Sequence, residues 1–283
     1  MCMRCSADGK WWLDKQVIHE SKDSEPRAYG TMTALGSSQI LAPFTEVNDQ
    51  FATSQVSIAV SQGDGETFEV GSPIAMEPLC WAAPSGRLFE RDGTLVMPVF
   101  GALSKDDLKQ TRHTCGLFRS TDGGKTWGDW SVIASGSEDI LSFEYCSVLP
   151  LHDGTILAVF TGRRLQRSAD APQVIMRYFS KDGGRTWSEP DQLCVGSCPA
   201  LESVGETTTV CAYTIWCGWG NMNVLVSDDG MRSFYQDQVF VELACLPIPE
   251  NYPRTLLYPD KELERIGQNN RCPFWAYNPG LPK

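Results

Sequence analysis

Few residues in this chain have the types and spacing that chemistry requires. The stretch "RSTDGGKTWGDW" (residues 119–130) sets an aspartate, two glycines, a threonine and tryptophans between apolar runs, and reads either as a ligand loop or as a turn. "YTIWCGWGNMN" (213–223) places Trp216 and Trp219 beside glycines in a predicted loop, where aromatic faces suit stacking on sugar rings. The same pair also reads as core beneath that loop. Cys2-x-x-Cys5 has no second CxxC and no nearby histidine, and His19, His113 and His152 lie far apart, so neither a metal site nor any other cofactor is expected.

Asp-Gly between strand-like residues is a strong hairpin signal, because glycine reaches positive φ without steric cost and Asp bonds nearby N–H groups. Apolar "CGLF" precedes the stretch and "WSVIA" follows it. Ser-x-Asp-x-Gly-x-Thr-Trp then recurs in full in "FSKDGGRTWSEP" (179–190), with weaker copies in "SADGKWW", "SQGDGETF" and "SDDGMRSF". From serine to serine the copies are 55, 59, 60 and 47 residues apart, the length of a four-stranded propeller blade with its loops. The stretch is therefore a turn.

Each interval also holds an apolar strand pair around a turn: "TMTALGSSQILAPF" (31–44), "RLFERDGTLVMPVF" (87–100), "SVLPLHDGTILAVF" (147–160) and the more degraded "ALESVGETTTVCAY" (200–213). Strands buried on both faces read as short continuous apolar runs, so these predict the inner pair of a blade, with the repeat supplying the outer pair. The fold class is all-β, a propeller of four-stranded antiparallel blades.

The chain resembles the Asp-box, or BNR-repeat, family of the sialidase superfamily, whose members are typically six-bladed propellers with the box as a structural turn on the outer rim. Five to six blades are expected here, in a single domain over residues 1–283. The first box lacks inner strands before it, so either the segment around residues 251–266 completes that blade by ring closure or an N-terminal blade is missing.

The resemblance implies retaining glycoside hydrolysis by a tyrosine nucleophile with a glutamate base, an aspartate acid/base and three arginines clamping the substrate carboxylate. Arg suits that clamp because its planar fork binds a carboxylate bidentately and stays protonated. "FEYCSVLPLHDGTILAVFTGRR" (143–164) is similar to the family's central segment and places Glu144 as base and Arg163, or its neighbour Arg164, in the clamp. "NYPRTLLYPD" (251–260) nominates Tyr252 as nucleophile, with Tyr258 competing. Arg27 in "EPRAYGTM" and Asp49 in "TEVNDQFATS" stand in the order of the first arginine and the acid/base, although no Arg-Ile-Pro motif is present. No arginine lies between Gly218 and Ser227, where the third clamp residue is expected.

Composition narrows the partners. The 283 residues are 42% hydrophobic and carry a formal charge of −11, which opposes non-specific binding to nucleic acid or anionic membrane. No apolar run reaches the roughly 18 residues of a membrane span, and the N-terminal residues lack a signal-peptide apolar region, so a soluble chain is expected. Its eleven cysteines read as scattered buried thiols or as one or more disulfides. The partner is expected to be carbohydrate, a sialoglycan or another anionic glycan. Exo-sialidase-like hydrolysis leads, and a non-catalytic glycan- or protein-binding propeller and a polysaccharide lyase are the alternatives.

Overall fold

The computed structural model describes residues 1–3, 16–36, 39–48, 52–63, 65–136, 140–164, 173–214, 221–234 and 236–242. A short hairpin, β1 (Cys2–Met3) with β2 (Gln16–Val17), leads in and sets Met1 and Ile18 against Phe44. The first blade follows as β3 (Glu25–Arg27), β5 (Thr33–Leu35), β6 (Gln39–Val47), β7 (Ser54–Gln62) and β8 (Glu69–Val70), while β4 (Tyr29–Gly30), between β3 and β5 in the chain, joins the sheet of the next blade. The second holds β9 (Trp81–Gly86), β10 (Phe89–Arg91), β11 (Thr94–Ala102), the short helix α1 (Lys105–Lys109), β12 (Thr114–Ser120) and β13 (Gly128–Ala134). The third is β14 (Ile140–Pro150), β15 (Ile156–Arg164), β16 (Val174–Ser180) and β17 (Asp191–Val195). The fourth is β18 (Ser197–Val204), β19 (Thr208–Thr214), β20 (Asn221–Ser227) and β21 (Gln236–Glu242).

These four sheets are antiparallel meanders arranged as propeller blades, the expected all-β class. Strand β9 meets β14, and β14 meets β18, so neighbouring blades pack through their inner strands. Among the described residues the box turns at 120–127, 180–187 and 227–234 lie where the repeat predicts, and so do the inner hairpins, except that the far half of β11 pairs with β9; the box copy at 6–12 and the segment 251–266 read as a last blade lie outside the described residues.

The inner strands differ between blades. In blades three and four they are continuous, but in the first two they are split: β3 and β5 share β6, and β9 and β10 share β11. Between the halves the chain crosses to its neighbour, and β4 pairs parallel with β9. Glycine is required there. A Cβ on Gly30 would meet the Gly86 carbonyl oxygen at 2.6 Å, and one on Gly86, which holds φ +71°, would meet the Cys146 carbonyl oxygen at 2.6 Å.

The Asp boxes close on themselves. Asp122 Oδ1 accepts from the Lys125 and Thr126 N–H groups at 3.0 and 2.9 Å, Oδ2 accepts from the Thr126 hydroxyl at 2.6 Å, and Ser120 Oγ accepts from Gly124 N–H at 2.9 Å. Asp182 repeats this set with Arg185, Thr186 and Ser180. Trp127 and Trp187, half-buried, pack against the core beneath their turns. The degraded box is whole in structure: Asp229 bonds Ser233 and Ser227, and Met231 takes the place of the second glycine.

Met231 holds φ +63° and its side chain is fully buried, packed with Leu225 and Cys211. A left-handed non-glycine costs about 1 to 2 kcal/mol, whereas burying a methionine side chain contributes about 1.5 to 3 kcal/mol. Burial wins, so Met231→Gly is expected to lower stability in urea unfolding by about 1 kcal/mol, although it removes the backbone strain. A more stable glycine variant would reverse that ranking.

The box carboxyls also predict acid behaviour. Hydrogen bonds from Thr126 above all, then from Ser120 and Lys125, hold Asp122 well below the ordinary carboxylate value, Thr186 and Ser180 do the same for Asp182, and Ser233 brings Asp229 down to about 2. Because these folded-state values are depressed, their contribution is complete above the unfolded value of about 3.9 and is lost as pH falls toward 2. The melting temperature should fall over that window and fall less steeply in an Asp122→Asn, Asp182→Asn double variant. Parallel curves for parent and variant would exclude the boxes as its source.

Candidate functional site

Strand pairing places Glu144 and Arg163 together. The turn at 151–155 folds β14 onto β15, so Arg163 pairs with Ser142 and Thr161 with Glu144. The Arg163 guanidinium lies 3.7 Å from Glu144 Oε1. At the other end of the sheet Ile156 pairs with Ser180, which opens the box turn. Five residue steps from Ile156 to Thr161 and seven to Arg163, at about 3.3 Å each, separate the two ends by about 16 to 23 Å, so the boxes stand away from this cluster.

A bulge shapes the site. Pairing passes from Glu144 with Thr161 to Ser147 with Val159, and Tyr145 takes φ +54° within the irregularity. Positive φ at an aromatic residue is costly and marks a site that the surroundings enforce. Tyr145 then reaches Phe100 and Tyr29, at ring-centroid distances of 5.5 and 6.2 Å. The fourth blade repeats the device, with Cys198 at φ +52° beside a register shift in β18 and its N–H donating to Thr161 Oγ1 at 2.8 Å.

Glu144 is largely buried, with 16% of its side chain exposed. Its Oε1 meets His113 Nδ1 at 3.1 Å and accepts from the Ser142 hydroxyl at 2.9 Å. Burial pushes its pKa up, but the His113 hydrogen bond, the charges of His113 and Arg163, and Ser142 outweigh burial and leave it below the ordinary value. The group is therefore a carboxylate at neutral pH, fit to accept a proton and unfit to donate one. Tyr145 is the opposite case, since burial first and then Cys198 and Glu144 push its phenol well above the usual range.

Of the expected arginines, Arg163 donates Nη2 to the Thr111 carbonyl and hydroxyl oxygens, both at 2.6 Å, and its Nε has no hydrogen bond among the described residues. Arg27 pairs with Glu25 at 2.9 Å and shares a hydrogen bond with Tyr29. Burial alone would lower its pKa, yet Glu25 and Tyr29 raise it, and its charge reaches Tyr145. Glu144, Arg163 and Arg27 thus join one cluster at the end of the blades remote from the boxes. Asp49, Trp216, Trp219, Tyr252 and Tyr258 lie outside the described residues, as does the side chain of Arg164.

Sequence reasoning missed His113, Tyr29, Tyr145, Trp81 and Cys198. His113 stands just before β12, its ring stacked on Trp81 at 5.3 Å with an edge toward Phe100 at 5.6 Å. Only the adjacency of Tyr145 to Glu144 was a signal. Among the described residues no cluster of metal-ligating side chains is found, the cysteines at 80, 115, 146, 198 and 211 are free thiols, and no helix is long and apolar enough to cross a membrane.

A depression of about 380 Å³ lies at the box end, between Arg91 of blade two and Asp182 of blade three. Its ionic groups are engaged with one another, Arg185 with Asp129 and Arg119 with the turn carbonyls, which makes it a seam between blades.

Several solved structures share the fold. A Dyadobacter fermentans protein of unknown function matches with a TM-score of 0.67 at 17% identity, over 85% of this chain and 71% of that one. An α-L-arabinofuranosidase from Fusarium graminearum, bound to an iminosugar inhibitor, matches with a TM-score of 0.60 at 12% identity, over 89% and 74%. The Trypanosoma rangeli sialidase in complex with sialic acid matches with a TM-score of 0.56 at 16% identity, over 82% of this chain and 41% of that one. No curated protein matches. The repeated box turns and the four meander blades find their counterpart in a family model described as BNR repeat-like domain, which matches residues 2–251, and the chain belongs to that family.

Proposed function

We propose that this propeller is a glycoside hydrolase of sialidase type, acting on the anionic end of a glycan with Glu144 as its base. The observation that carries this reading is a largely buried carboxylate held ionised beside Arg163, in one cluster with Arg27, Tyr29 and Tyr145. An anionic sugar repels a carboxylate nucleophile, which favours a phenol. A phenol of pKa about 10 attacks at neutral pH only with a base to take its proton. Tyr252 is assigned that role, Asp49 the acid, and Trp216 and Trp219 the faces against which the sugar stacks. Two fold neighbours hold sialic acid and an iminosugar, which supports a carbohydrate partner.

A second reading is a propeller that binds glycan without cleaving it. Arg163 spends Nη2 on Thr111, and the third clamp arginine is missing from the sequence. Fluorophore release from 4-methylumbelliferyl α-sialoside, beside the corresponding α-L-arabinofuranoside, decides between them. Turnover of the sialoside supports the hydrolase, turnover of the arabinoside alone moves the substrate to a neutral sugar, and saturable glycan binding without turnover leaves the binding module. Ultraviolet absorbance from an unsaturated uronate product would instead identify a lyase.

A further inference from the structure

We propose that His113 is a positioning residue for Glu144, engaging one carboxylate oxygen so that the other is presented to the reacting group. This rests on the reading of Glu144 as the base. All the contacts of the carboxylate fall on Oε1: His113 Nδ1 at 3.1 Å, the Ser142 hydroxyl at 2.9 Å and the Arg163 guanidinium at 3.7 Å. Among the described residues Oε2 makes no hydrogen bond, and it is not among the buried polar atoms left without one. Each carboxylate oxygen has two acceptor sites, so with the donors gathered on Oε1 the acceptor sites of Oε2 remain for the reacting group.

His113 is itself built into place. Trp81 stacks on its ring with planes 16° apart, and Phe100 closes on it edge-first. Its backbone N–H donates to Ser142 Oγ at 3.1 Å, its carbonyl accepts from Phe143 N–H at 3.1 Å, and the same Ser142 hydroxyl donates onward to Glu144. These contacts fix the ring so that Nδ1 faces the carboxylate, and a neutral imidazole in that orientation donates through Nδ1–H. The ring therefore holds Oε1 whether or not it carries charge.

The other titratable groups facing Glu144 do not replace it. Cys115 on β12, Cys198 on β18 and Tyr145 on its own strand are all pushed toward their neutral forms by burial, and the Arg163 charge stands farther away than the histidine. Removing the His113 donor should leave the carboxylate easier to protonate and free to rotate, so the loss should appear in kcat and in the acid limb of the pH profile more than in KM.

The test compares His113→Phe, which keeps an aromatic ring against Trp81 and removes the donor, with His113→Asn, whose amide nitrogen sits near the position of Nδ1. Outer partners that orient metal ligands are worth about 10- to 100-fold in activity; the same order is expected for a partner that orients a base, so the Phe variant should lose kcat by that order with its acid limb moved to higher pH. The Asn variant should recover most of both. An unmoved acid limb in the Phe variant, or an Asn variant no better than Phe, would overturn the proposal. A second arm needs no substrate: the carboxyl ¹³C resonance of Glu144, identified by its absence in Glu144→Gln, is titrated in parent and variants. An upward shift in the Phe variant together with no glycoside turnover would leave the positioning role standing and remove the hydrolase reading, whereas an unshifted titration would sink the positioning role alone. If the Phe variant melts below the assay temperature, His113→Gln, which moves the donor away from the Nδ1 position, takes its place with the same expected outcome.

Discussion

Glu144→Gln is expected to lower kcat/KM on a 4-methylumbelliferyl sialoside by about 10²- to 10⁴-fold, the range that general acid–base catalysis contributes. The variant should still fold. Glutamine keeps the volume and an acceptor oxygen for His113 and Ser142, and it loses the charge that faces Arg163. What disappears is the ability to take a proton from a phenol, so the deficit should fall on kcat, with KM changed by only a few-fold. Tyr252→Phe should produce a deficit of similar order, and the double variant should be little worse than either single one, because the two side chains act as a unit. Additive losses would mean that they serve separate steps. A Glu144→Gln variant as active as the parent would remove the carboxylate from the chemistry.

The parts of this site that were legible in the sequence are those set by local pairing. Strand, Asp-Gly turn, strand is a hairpin, so the pairing of β14 with β15 was legible, but Glu144 and Arg163 were named by resemblance to the family's central segment, and only the bulge, which pairs Glu144 with Thr161 instead of Gly162, brings them to one face. The box turn is legible for the same reason, since Asp122, Gly124 and Thr126 meet their partners within a few residues. His113 was not legible. It meets Glu144 across the seam between two blades, and no local rule sets the alignment of one blade against the next. Tyr145 was hidden by a bulge, because a regular two-residue alternation would send it to the face opposite Glu144. The inner strand of blade two was legible only in part, since its hairpin at 87–100 forms between β10 and β11. The hairpin was expected at 87–100, but the strand that pairs with the mouth half of β11 is Trp81–Gly86, whose Pro84 and small residues argue against a strand. Small residues are needed there: a Cβ on Gly101 would meet the Trp81 carbonyl oxygen at 2.2 Å. Close backbone approach thus erased the composition that announces a strand.

Arg119→Met is expected to be among the most destabilising single changes at the box end, although Arg119 stands one residue before a turn that is itself exposed. Its side chain is buried, at 7% exposure, and its guanidinium bridges two blades. Nη1 donates to the Asp129 carbonyl at 2.9 Å and the Ser131 hydroxyl at 3.0 Å, while Nη2 donates to the Gly183 and Gly184 carbonyls of the next blade's box at 3.0 and 3.1 Å. Burial lowers its pKa, and the Arg185 charge adds to that, so the site tolerates the cation because these acceptors surround it. Arg177 repeats the device one blade later, donating to the Met231 and Arg232 carbonyls. Methionine would keep much of the buried stem and leave those oxygens without donors. A buried group left unpaired costs about 1 to 3 kcal/mol, so losing the bridge should cost about 3 kcal/mol in all. In a domain of this size that is a fall in Tm of about 6 to 12 °C. Lysine should recover only part of the loss, since a single ammonium cannot span acceptors set around a planar fork. Urea unfolding and thermal melts measure the deficit, and glycoside turnover at a temperature where the variant is folded separates it from chemistry, because the mouth lies about 20 Å along the strands. Stability within 0.5 kcal/mol of the parent, the ordinary range for a surface substitution of about that size, would mean that the blades are held together by their apolar faces alone.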